Sequence, residues 1–139
     1  MHVYLGMKID FTKKGKGKFS MIHYINAMLE KVPDDMKGKA AIAAGKHIFV
    51  VNEDDPKKLS EEDAVMFHHN TAKLLFLAKR ARPERQINVA FLCTRVNGPV
   101  TDDSKKLARV MKYLHETLGL PLALGTDDSR SMKWNIDAA

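Results

Sequence analysis

Four adjacent aspartate pairs stand out as carriers of chemistry: Asp34-Asp35, Asp54-Asp55, Asp102-Asp103 and Asp127-Asp128. Paired carboxylates can hold Mg²⁺ for phosphoryl transfer. Each pair also has a plainer reading. Asp34-Asp35 follows the helix-stopping Pro33, Asp54-Asp55 sits in a polar stretch, Asp102-Asp103 opens a predicted helix and Asp127-Asp128 fills a predicted turn. His68 and His69 are neighbours, so on a helix their side chains diverge by about 100° and do not share a metal as an i, i+4 pair would. Cys93 lies among apolar residues with no histidine at a matching spacing, and it reads as packing rather than as a nucleophile. A lone cysteine excludes an internal disulfide and a thiolate zinc site, and it fits a reducing compartment. The chain has no Gly-rich phosphate loop, no Gly-x-Ser-x-Gly elbow and no His-Glu-x-x-His. Direct reading therefore yields no complete active site.

The basic residues say more. Lys79, Arg80, Arg82 and Arg85 surround one predicted helix junction, Lys105, Lys106, Arg109 and Lys112 run along the next helix, and Lys13, Lys14, Lys16 and Lys18 crowd a predicted hairpin. Across the 139 residues, 23 Lys and Arg face 17 Asp and Glu, a net charge of +6. The excess is blocked: +5 over residues 1–46, −4 over 47–63, +5 over 64–100 and zero over 101–139. A basic surface draws polyanions and releases their counterions, so nucleic acid heads the partners, contacted through its backbone without sequence readout. The competing reading is a solvated face whose basic residues complement helix ends and aid solubility.

These residues need elements to position them. Val3, Leu5, Met7, Ile9 and Phe11 alternate with polar neighbours, which predicts one half-buried strand over 3–11. Lys13-Lys14-Gly15-Lys16-Gly17 predicts a turn, and Lys18-Phe19-Ser20 a returning strand. Ser20 is placed to cap a helix over 21–32, with Ile22, Ile25, Met28, Leu29 and Val32 on one face and Pro33 as its stop. Residues 33–60 read as irregular, with one apolar run, 47–51, as a short strand candidate. Ser60 followed by Glu61-Glu62-Asp63 opens a helix that runs to about Lys79, with Val65, Phe67, Leu74, Leu75, Phe76 and Leu77 as its stripe. Pro83 opens another that runs through Ile87, Ala90, Phe91 and Val96 and ends at Asn97-Gly98-Pro99. Thr101 caps a third carrying Leu107, Val110, Met111 and Leu114, and Gly119 ends it.

Leu120–Leu124 and 132–137 then read as two strands of a hairpin, the second of them cut short. The fold class is α+β dominated by helix, divided as 1–32, an irregular 33–60, a helical bundle over 61–119 and a partial hairpin over 120–139. A chain this long buries roughly two-thirds of its unfolded surface, enough for one core. It carries 45% hydrophobic and 29% charged residues, without a run near the roughly 20 apolar residues of a membrane span. Met1-His2-Val3-Tyr4 lacks the layout of a signal peptide, so an intracellular location is expected.

Three stretches together resemble the C-terminal part of a copia-type retrotransposon reverse transcriptase. They are Tyr4–Ile9 with Phe19–Leu29, then Phe67-His68-His69 through Ala72–Leu77 to Ala81-Arg82-Pro83-Glu84, and Arg109–Thr117 leading to Gly119-Leu120. They are similar in order and spacing to the family's Phe-Leu-Gly strand and Tyr-Ile helix, its Gly-x-Leu-x-Tyr-Leu and Thr-Arg-Pro-Asp segment, and its Tyr-Leu-x-x-Thr helix end. Ala72, Ala81 and Glu84 stand where that pattern has glycine, threonine and aspartate. The resemblance implies a primer grip at Tyr4, Leu5, Gly6 and Met7, thumb helices after it, and ribonuclease H beginning at Trp134–Ala138. Asp137 would be a metal ligand only if a full ribonuclease H domain followed. The complete family enzyme uses Mg²⁺, held in part by a palm Tyr-x-Asp-Asp, and no Asp-Asp pair here is preceded by that tyrosine. The implied role is a fragment that positions an RNA–DNA or DNA duplex, with the palm or ribonuclease H segments as further partners, no membrane, and no cofactor or complete catalytic centre of its own. The alternatives are a small basic helical module for protein interaction and an inert retroelement remnant.

Overall fold

Leu5 and Gly6 both take positive φ, 49° and 78°. Two such residues in succession are the signature of the tight turn whose twist matches a β-hairpin. The alternating run is therefore two strands, β1 (His2–Tyr4) and β2 (Met7–Asp10), paired antiparallel with Tyr4 opposite Met7. This corrects the single strand expected over 3–11: a two-residue turn leaves the odd-even pattern undisturbed, so periodicity does not reveal it. The computed structural model describes residues 1–40, 48–51, 57–126, 129 and 131.

The second hairpin stands where expected. β2 pairs with β3 (Lys16–Ser20), Ile9 opposite Phe19, with the lysine-rich turn between them. Ser20 lies opposite Lys8 inside that ladder, so it is a strand residue and not a helix cap. Helix α1 (Ile22–Leu29) starts from Met21 without a side-chain cap and buries Ile25, Met28 and Leu29. A short 3₁₀ turn over Asp34–Met36 follows, with Met36 1% exposed.

Helix α2 (Glu61–Ala78) begins as expected, the Ser60 hydroxyl accepting from the Asp63 N–H at 3.2 Å. It buries Phe67, Leu74 and Leu77 together with the polar Asn70 and Thr71, whereas Val65 is half exposed. Pro83 opens a 3₁₀ turn (Pro83–Arg85) that leads into α3 (Gln86–Thr94). The inward face of α3 is Asn88, Val89 and Leu92, whereas Ile87 is 69% exposed, and the helix ends at Thr94, short of the expected Asn97. On so short a helix, apolar on most sides, composition does not single out one stripe. Helix α4 (Thr101–Glu116) buries Leu107, Val110, Met111 and Leu114 as expected, although its cap position is Val100 and Thr101 is its first residue. Together α1 to α4 enclose one core. Each large apolar side chain fully buried there contributes roughly 1.5–3 kcal/mol.

Leu122–Gly125 forms β4, and it pairs with β3, Phe19 opposite Leu122 and Lys16 opposite Gly125. The sheet order is β1-β2-β3-β4, all antiparallel. The expected partner strand at 132–137 lies outside the described residues; of the 47–51 candidate, residue 47 also lies outside them, and 48–51 form a turn and irregular chain rather than the expected strand, with Ile48 buried. The fold is α+β with helix predominant.

Candidate nucleic-acid interface

Helix α4 is anchored at its start by Asp103, whose carboxylate accepts from the Val100 N–H at 3.0 Å and pairs with Arg95 at 3.2 Å. The Lys57–Leu59 segment holds the same end. The Thr101 N–H donates to the Lys57 carbonyl at 3.1 Å, and the Leu59 N–H donates to the Pro99 carbonyl at 3.1 Å. With one face fixed on the core, the opposite face presents Lys105, Arg109 and Lys112 in register. Seven residues of helix rise about 10 Å, so three cations follow one another along that length. They line a groove of about 560 Å³, whose walls also include Leu59, Ser104 and, from the 3₁₀ turn, Asp35. The sequence marks Asp35 only as following the helix-stopping Pro33; its placement on a groove wall comes from the packing of the 3₁₀ turn against α4.

Other cations named from the sequence are committed inside the molecule. Arg82 is 1% exposed. Its guanidinium pairs with Glu84 at 2.6 Å and donates to the carbonyl and hydroxyl of Thr117 at 3.1 and 2.7 Å. This corrects its assignment as a nucleic-acid contact: it is an internal clamp between the α2–α3 junction and the end of α4. Lys106 is likewise held, paired with Asp102 at 2.8 Å, donating to the Val50 carbonyl at 2.5 Å and lying over the Phe91 ring. Arg85 packs over Tyr113 at 4.2 Å and Arg80 over Phe76 at 3.6 Å, Arg80 also donating to the Phe76 carbonyl. Lys79 remains on the surface. The sequence contained the partners of these cations, but not the approach of Tyr113 and Thr117 to the junction.

On the hairpins, Lys13, Lys14 and Lys16 are exposed. Tyr4 and Leu5 are exposed beside the tight turn, Met7 packs toward the core, and the Met21 methyl lies near where a Cβ on Gly6 would stand. The primer-grip-like set is thus a turn tip, separate in the chain from the α4 groove.

Several of the described aspartates are held by neighbouring groups. Asp34 pairs with Lys37 at 2.6 Å, and that contact holds its carboxyl below the usual range. Asp10 is also lowered, by hydrogen bonds from Thr12. Burial pushes the Cys93 thiol up, partly opposed by Lys79, and burial likewise raises the Tyr24 phenol, partly opposed by Arg80. Among the described residues no group of three or more His, Cys, Asp or Glu side chains is arranged to hold a metal ion. His68 and His69 are exposed, with ring centroids 6.5 Å apart. Asp54-Asp55, Asp127-Asp128 and Asp137 lie outside the described residues. No described helix is long and apolar enough to cross a membrane. Comparison with protein-family profiles, with curated proteins and with solved structures finds no match to the chain.

Proposed function

We propose that this chain holds a nucleic-acid duplex by its phosphate backbone, as a primer-grip and thumb-like piece of a copia-type reverse transcriptase that does no chemistry by itself. The observation that carries this reading is the groove along α4, where Lys105, Arg109 and Lys112 line one wall. Three cations over that length suit a strand whose charges recur every 3.4 Å or so along the axis. Contacts of this kind set register and orientation without reading bases. Support also comes from the surface lysines of the β2–β3 turn and from the order of the three resembling stretches.

Fluorescence anisotropy with a labelled RNA–DNA hybrid at two salt concentrations tests the proposal. Binding should weaken steeply with salt, and reversing Lys105, Arg109 and Lys112 to Glu should weaken it more than tenfold. Hybrid binding that ignores both salt and the triple reversal would overturn the duplex reading. Mg²⁺-dependent primer extension by the chain alone would overturn the non-catalytic part.

A further inference from the structure

Paired strand residues share a face and successive residues alternate. Met7, Ile9, Gly17, Phe19, Leu122 and Leu124 therefore lie on one face of the sheet, with Lys8, Lys16 and Lys18 on the other. Met7 packs toward the core, but the far end of the apolar face is open, and Phe11 and Leu124 are 58% and 53% exposed. Phe11 meets Phe19 edge to face, ring centroids 6.2 Å apart at 88°. Gly17 makes that possible, because a Cβ there would stand 2.9 Å from the Phe11 ring. With Leu124, these residues wall a notch of about 280 Å³ bordered by Lys13 and Lys16.

Size and charge together restrict what fits. Sites for drug-sized ligands run from roughly 300 to 1,000 Å³, so a notch just below that range takes one ring system, not a helix or a folded chain. Exposed aromatic rings beside a basic strand are the elements of sequence-tolerant binding to single strands, in which bases stack and cations follow the backbone. A duplex keeps its bases inside and offers nothing to stack. We propose that the Phe11–Gly17–Phe19 notch receives the base of an unpaired nucleotide, stacked on Phe11, with an adjoining phosphate on Lys13. This site shares no residue with the α4 groove and does not depend on the duplex reading.

The full chain and a short labelled oligothymidylate test it by anisotropy. Phe11→Ala should weaken binding about fivefold or more, and Phe11→Tyr, which keeps the ring, should bind like the parent chain. An abasic strand of equal length should bind more weakly than oligothymidylate and be insensitive to Phe11→Ala. The Lys105, Arg109 and Lys112 reversal should leave the ratio between parent and Phe11→Ala intact. A Phe11→Ala chain that binds oligothymidylate like the parent, equal weakening by Phe11→Tyr, or equal affinity for the abasic strand overturns the proposal. Failure of hybrid binding alone overturns the α4 reading and leaves this one standing.

Discussion

Arg82 and Arg109 carry the same guanidinium and meet opposite surroundings. Arg82 is 1% exposed and bonds to Glu84 and Thr117, whereas Arg109 is exposed along an open groove. Lys106 and Lys105, adjacent in the chain, divide in the same way: one is tied to Asp102 and Val50, the other lines the groove. A helix turns about 100° per residue, so neighbours in a basic run point to different surroundings. The difference separates charge buried inside the fold from charge that lines an open groove. Removing one partner of a buried charged network leaves other groups without theirs, while removing a surface charge costs the fold little.

The largest effect should come from the internal set. Arg82→Ala is expected to lower stability by about 3 kcal/mol, since it deletes charge-assisted bonds to Thr117 and leaves Glu84 without its closest cation. Urea denaturation measures this, and a loss below about 1 kcal/mol would erase the distinction between the two sets. For the groove, the combined Lys105, Arg109 and Lys112 reversal should weaken hybrid binding more than tenfold and flatten the salt slope by roughly one unit for each phosphate no longer neutralised. Lys106→Ala is the control, expected to cost stability and leave hybrid affinity near that of the parent.

Ser60→Ala should cost about 1 kcal/mol through loss of the α2 cap, visible in urea with no effect on nucleic acid. Asp35→Asn carries the opposite sign for binding: taking a negative charge off the groove wall should raise hybrid affinity a few-fold, measured by anisotropy at low salt. The smallest effect concerns Cys93. Its thiol is raised above the ordinary value by burial, so stability from keeping it neutral is fully present below the unfolded thiol's pKa and is lost as pH rises through the folded one. Near neutral pH the thiol should therefore react with a disulfide reagent more slowly in the folded chain than in urea, as absorbance kinetics would record.

Much of the helical framework was legible because long amphipathic stretches announce both their face and their ends. The α4 stripe of Leu107, Val110, Met111 and Leu114, the Ser60 cap and the Pro83 start all appear where sequence places them. Local chemistry decides such features. The α3 face and the Leu5-Gly6 turn were not legible, since apolar residues on several sides blur one period and a two-residue turn preserves the other.

The chain's sequence by itself determined the basic excess, the order of the helices and the start of α2 at Ser60, because these follow from composition and from residues within a turn or two of each other. Tertiary structure decided which cations face outward, that β4 closes on β3, and that Asp35 joins the α4 groove. Those outcomes depend on contacts between residues far apart in the chain, Arg82 with Thr117 and Lys106 with Val50 among them. No local period encodes such meetings, since only the packing of one element on another brings the two groups within bonding distance.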